Sequence, residues 1–176
     1  MNLCHTRPMH LPEGPRRPGE DRLEQFFLRA CANCPSLDPR AGYQVRWIGL
    51  DAPTTLQVFE RIRSGDKCGT FALPWIQSRT GQPEPRSGDQ LVLIDFDGRP
   101  TLLVVLTEIY QQRFGSVTEQ DTAIDGEPVR QLGTWIPLHT WYWNRQLHRF
   151  GLSVTPDMPF WVQKFELVFD VDRSGK

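Results

Sequence analysis

Apolar residues along this 176-residue chain recur with two different periods, which divide it into helices and strands. Leu23, Phe26, Phe27 and Ala30 fall at helical spacing behind Asp21, a fit N-cap with Glu24 three residues on. A helix is therefore predicted after a proline-bearing, disordered tail over residues 1–19, with a connector from Pro35 to Gly42. A second helix is predicted from Thr54 to Ser64, with Leu56, Phe59 and Ile62 as its buried stripe and Gly65 as its C-terminal cap. Cys68 to Leu73 reads as a strand, and Pro74 to Gly88, with three prolines, as a polar loop.

The β signal is clearest from Leu91 onward. Leu91 to Phe96 and Thr101 to Tyr110 flank Asp97-Gly98, the preferred pair of a two-residue hairpin turn. Thr118 and Asp121 have capping spacing for a short helix, and a longer one is predicted over Trp135 to Phe150, with Pro137 in its first turn and Gly151 ending it. The last element alternates: Trp161, Phe165, Leu167 and Phe169 on one face, Val162, Lys164, Glu166, Val168 and Asp170 on the other. Few helices and several strands predict an α+β, mostly antiparallel β domain.

Composition narrows the classes. An apolar content of 39% with six tryptophans predicts a packed core, and a net charge of −1 excludes a broadly basic surface of the kind that wraps a duplex. Any nucleic-acid contact is then expected to be local. The longest apolar run, Leu102 to Leu106, is far too short to span a membrane, and the N-terminus has no apolar signal region, so a cytoplasmic protein without membrane partners is expected. Cys31 and Cys34 have metal-ligand spacing, with Cys4, His5 and His10 as conceivable co-ligands. One such pair without a second is weak support for zinc, so neither a metal nor a cofactor is expected.

Three places offer chemistry. Glycine-flanked Lys67 and Thr70 lie at a helix-to-strand junction, where a lysine serves as a charge for phosphate or, if buried, as a base. Regular strand geometry would part their side chains, so they share a site only if the chain still turns near Gly69. Glu108 follows Leu102, Val104 and Leu106 at period two, which predicts an inward carboxylate at the end of an apolar row. Trp135, Leu138 and Tyr142 have the spacing of a buried helix face, leaving Trp143 as the tryptophan expected to be exposed for stacking on a base. Arg79 and Arg86, in the predicted loop, are the candidate phosphate contacts. Arg145, His148 and Arg149 read as a solvated face near a helix C-terminus, and His139 as a structural histidine.

Taken in order, Gly65-Asp66-Lys67-Cys68-Gly69-Thr70, Gly88-Asp89, Thr107-Glu108, Phe114, Val117-Thr118, Gly126-Glu127, Leu132, Trp135, His139 and Asp157-Met158-Pro159 resemble the ASCH domain family over residues 45–170. The resemblance implies a PUA-like β-barrel flanked by helices, with a cleft that accepts RNA or a modified nucleoside. In some small ASCH proteins a lysine, a threonine and a glutamate hydrolyse acylated cytidines, and others are described as ribonucleases that depend on the lysine. Those positions match Lys67, Thr70 and Glu108. Asp66 stands where the family usually has another lysine, and Cys68-Gly69 also depart from the pattern. An acid beside Lys67 favours its charged form, hence an electrostatic role for Lys67 and a base role for Glu108. The readings that follow are a hydrolase acting on RNA or an acylated nucleoside, a non-catalytic reader of RNA or a modified base, and, third, a protein-interaction module.

Overall fold

The structure is a computed structural model and describes residues 14–173. Cys4, His5, His10 and most of the predicted tail lie outside the described residues.

Helix α1 (Glu20–Asn33) buries Leu23, Phe26, Phe27 and Ala30, the predicted stripe, although its N-cap is Gly19 rather than Asp21. A three-residue strand β1 (Gln44–Arg46) that no period announces leads to α2 (Ala52–Ser64). Asp51 and Thr54 form a reciprocal capping box at the start of α2, and Gly65 takes the left-handed conformation at its end, φ 81°. The buried stripe of α2 is Thr55, Phe59 and Ile62, while Leu56 is exposed. Thr55 is tolerated inside because its hydroxyl donates to the Asp51 carbonyl and accepts from the Trp47 indole.

Strand β2 (Gly69–Ala72) follows, then α3 (Pro74–Thr80), a helix where a loop was predicted. Its signals were Pro74 in the first turn and Gly81 just past the end. Strands β3 (Gln90–Ile94) and β4 (Pro100–Arg113) form the predicted hairpin. The turn is wider than expected, because Ile94 pairs with Pro100 and the Asp95 carboxylate accepts from the N–H groups of Asp97 and Arg99. Thr118 and Asp121 cap the short α4 (Glu119–Thr122) as their spacing predicts. Helix α5 (Leu132–Leu147) starts a turn earlier than predicted, so Pro137 lies within it, and β5 (Pro159–Asp170) closes the domain.

The five strands form one curled, mixed sheet in the order β1-β3-β4-β5-β2, with β1 parallel to β3 and every other pairing antiparallel. This is the expected α+β class, with a half-barrel in place of a fully closed one. Helix α1 packs on Val92, Leu103 and Phe169, and α2 packs on Leu91, Leu93, Leu102 and Phe165. Helix α5 covers the β2 end, against Phe71, Phe160 and Val162. The long β4–β5 ladder slips register twice, once between Leu103 and Val104 and once between Leu106 and Ile109. The first slip adds a residue on β5 and the second adds one on β4. The first slip puts Phe169 in the α1 cluster and Phe165 in the α2 cluster, while Phe160 and Val162, of opposite parity to Phe165, are buried in the α5 cluster because both faces of the sheet are covered. No described helix is long and apolar enough to cross a membrane.

Candidate functional site

A cleft of about 310 Å³ opens between the two edge strands of the curled sheet. Arg46 and Trp47 line it from the β1 side and Thr70, Phe71 and Ala72 from β2, with Ile76 and Gln77 of α3 and Trp141, Trp143 and Arg145 of α5. Gln163 of β5, the register partner of Thr70, completes the wall.

The polar groups here are held in different ways. Arg46 donates to Gln44 Oε1 at 2.6 Å, and Gln44 in turn donates to Asp89, so a partly buried relay orients the guanidinium. Burial draws Arg46 below its ordinary range, and Asp89 opposes that shift. Trp141 is half exposed at the mouth, with the Arg145 guanidinium 5.0 Å from its ring centre. Gln77 is 4% exposed, and neither its Nε2 nor its Oε1 has a hydrogen-bond partner.

Of the predicted residues, Thr70 and Trp143 come together in this cleft. Trp143 is a correction: at 2% exposure it is buried among Trp135, His139, Phe114 and Phe160, and Trp141 is the exposed tryptophan. Helix α5 turns a wider apolar face inward than a single stripe, because both α4 and the β2 end pack on it. Lys67 is buried and is not among the residues that line the cleft. Its ammonium pairs with Asp125, and Asp125 Oδ2 is 3.9 Å from His139 Nε2. His139 stacks on Trp135 and meets Phe71 edge to face. The acid on Lys67 is thus Asp125, while Asp66 accepts from the Glu127 N–H and secures the turn at Gly126. Gly69 is required for this closeness, since a Cβ there would lie 2.4 Å from Ile124 Cδ1.

Glu108 is the second correction. Its side chain is 58% exposed and pairs with Lys164 at 2.7 Å. The slip between Leu106 and Ile109 breaks the period that would have turned it inward. Lys164 alternates with Gln163 along β5, so the Glu108–Lys164 pair lies on the sheet face opposite Thr70 and Gln163. Arg79 and Arg86 are exposed outside the cleft lining; Arg79 donates to the Trp75 carbonyl, and the Arg86 N–H donates to Asp89. Among the described residues no group of acidic, histidine or cysteine side chains is arranged to hold a metal.

Sequence reasoning missed Arg46, Gln77 and Gln163, and it assigned Arg145 and Arg149 to solvent although both line the cleft. These residues come from separate elements, and no local motif joins them.

His139 makes the domain acid-sensitive. Burial pulls its pKa from 6.5 down to about 4, against the opposing pull of Asp125 and the Trp135 carbonyl and helped by Lys67. The neutral ring donates from Nδ1 to that carbonyl at 2.9 Å. Between those two values the unfolded chain binds the proton that the folded chain refuses, so stability falls as pH drops from 6.5 towards 4, by roughly 3 kcal/mol in all. Urea midpoints at pH 7 and pH 4.5 should differ more in the wild type than in His139→Gln. Equal differences would remove His139 as the cause.

A family model described as the ASCH domain matches residues 50–169. The ASCH domain of Lactobacillus crispatus JV V101 superposes with a TM-score of 0.74 at 21% identity, covering 85% of this chain and 95% of that one. A protein of Enterococcus faecalis V583 superposes with a TM-score of 0.75 at 21% identity, covering 89% and 94%. No curated protein matches significantly.

Proposed function

The chain belongs to the ASCH domain family, and from that premise we propose that it binds single-stranded RNA or a modified nucleoside by taking a base into the cleft between its edge strands. ASCH domains are generally associated with RNA binding. The observation that carries the reading is Trp141, an exposed ring at the mouth of the cleft with Arg145 over its face. An aromatic platform beside a guanidinium serves a base and its phosphate together. The volume lies at the small end for ligand sites and suits one nucleoside unit better than a length of polymer.

Binding should be modest. With a net charge of −1 and Arg145 and Arg149 as the rim cations, about two phosphate contacts are expected. Titration with a labelled single-stranded oligonucleotide should give a log–log salt slope of only about −1.4. Trp141→Ala should cost about 1–3 kcal/mol of affinity while leaving the melting temperature nearly unchanged, because the ring is half exposed. Undiminished binding by this variant, or a steep slope, would place the ligand elsewhere.

Hydrolysis is the second reading, favoured by the presence of Thr70 in the cleft wall. It requires a base other than Glu108, whose carboxylate is engaged with Lys164 on the opposite face. Turnover of an acylated cytidine that disappears in Thr70→Ala would establish it over simple binding.

A further inference from the structure

Arg46 is the last residue of β1, an edge strand of the sheet. Val45 is buried in the α1 cluster, so alternation sends Gln44 and Arg46 out of the opposite face, and Arg46 lines the cleft. A guanidinium carries five N–H donors. Among the described residues this one makes a single hydrogen bond, to the neutral side chain of Gln44, and no ion pair. The acid that acts on it, Asp89, is held one residue away, accepting from Gln44 and from the Arg86 N–H. The interposed glutamine orients the cation without cancelling its charge. Among the described residues, the buried side-chain atoms without a partner belong to Gln77, Gln90, Trp135 and Trp161, so the donors that Arg46 leaves over are open to solvent. The cleft lining offers no acid either: its charged residues are Arg46, Arg145 and Arg149, in a chain whose net charge is −1. Arginines on two walls with no carboxylate between them favour an anion.

We propose that Arg46 holds the phosphate of a nucleotide whose base stacks on Trp141, so that the cleft takes a nucleoside monophosphate, free or as the end of an RNA strand, in preference to a nucleoside. This rests on the base-binding reading of the cleft and narrows its ligand. Guanidinium donors match phosphate oxygens in charge and geometry, and such bonds are stronger than neutral ones. Trp141 is on α5 and Arg46 on β1, so base and phosphate are met by different walls. A cleft at the small end for ligand sites holds one unit, which makes the phosphate beside it a terminal one.

The full chain is titrated with the four ribonucleosides, with their 5′- and 3′-monophosphates, with ribose 5-phosphate, and with a labelled RNA hexanucleotide made with and without a phosphate at either end. Wild type should bind at least one monophosphate about tenfold or more tighter than its nucleoside. If the strand end is the source, its phosphate should tighten binding as much and steepen the log–log salt slope by about 0.7. A preference confined to the free monophosphates would identify those instead. Arg46→Met should lose the preference while binding the nucleoside as wild type does, a change in ratio that general loosening of the fold would not produce. Arg46→Lys keeps the charge without the planar fork and should weaken the preference severalfold. A preference unchanged in Arg46→Met, or in Arg46→Lys should the first variant fail to fold, would overturn the assignment. Equal binding of nucleoside and monophosphate by wild type would overturn it too and leave the base-binding reading standing. Ribose 5-phosphate isolates the other half: if it binds through Arg46 while no nucleoside binds and Trp141→Ala has no effect, the base-binding reading falls and only the phosphate site survives. A wild type that binds none of these ligands would overturn both.

Discussion

Replacing Asp125 with alanine should destabilise the domain by about 3–5 kcal/mol, the cost of leaving a buried ammonium without its partner. Lys67 is 4% exposed and its side chain pairs with Asp125, itself 10% exposed and 3.9 Å from His139, which stacks on Trp135. At about 2–4 °C per kcal/mol for a domain of this size, melting should fall by roughly 10 °C. Lys67→Met should fall by a similar amount, because it strands the Asp125 carboxylate. It is therefore unsuited as a stability-neutral probe of function, whatever the chemistry of Lys67. The double variant Lys67→Met with Asp125→Leu should recover much of the loss, since apolar replacement of a whole buried pair is often neutral. A loss equal to the sum of those of Lys67→Met and Asp125→Leu measured singly would mean that the two groups do not interact, and the geometry would be wrong.

Trp135→Ala should be of comparable size, about 3–5 kcal/mol. The ring is fully buried, with Phe71, Phe114, His139, Trp143 and Phe160 all within 6.0 Å between centres. Phe71 and Trp143 are also cleft walls, so the cavity left behind adjoins the binding surface. Binding should therefore weaken with stability, in contrast to Trp141→Ala. Trp135→Phe should cost much less, because it keeps most of the ring contacts and removes an indole N–H that has no partner. Urea unfolding of the three variants orders them, and a Trp135→Ala midpoint close to wild type would contradict the packing described.

Much of the fold was legible because its elements are locally consistent. The α1 stripe, the β3–β4 hairpin, though with a wider turn, the Thr118–Asp121 cap and the final strand all emerge where the local pattern puts them. Strand β1 was hidden because three residues carry no period, and α3 because Pro83 and Pro85 just beyond its seven residues made the whole stretch read as a loop. Glu108 was misplaced for a different reason: parity counts residues, and a bulge adds one without any sign in composition. The site was less legible than the fold. Thr70 was found through family resemblance, whereas Gln77 draws its interest from burial and Arg46 from the Gln44–Asp89 relay, neither of which a linear sequence displays.

The two slips in the β4–β5 ladder bear on how this chain can change length over evolution. One extra residue on β5 is followed by one on β4, so pairing resumes at Ile109–Gln163 in the same register as at Leu102–Asp170. A deletion of Thr107 or Glu108 alone would leave one slip uncompensated and push the segment beyond it out of step, turning either the cleft wall or the core inside out. Loss of both extra residues together would return an unbulged antiparallel ladder with its ends in the same register. Relatives with a one-residue gap near Thr107 are therefore expected to carry a matching gap near Val168, and coupled gaps of this kind would record a constraint that site-by-site substitution patterns miss.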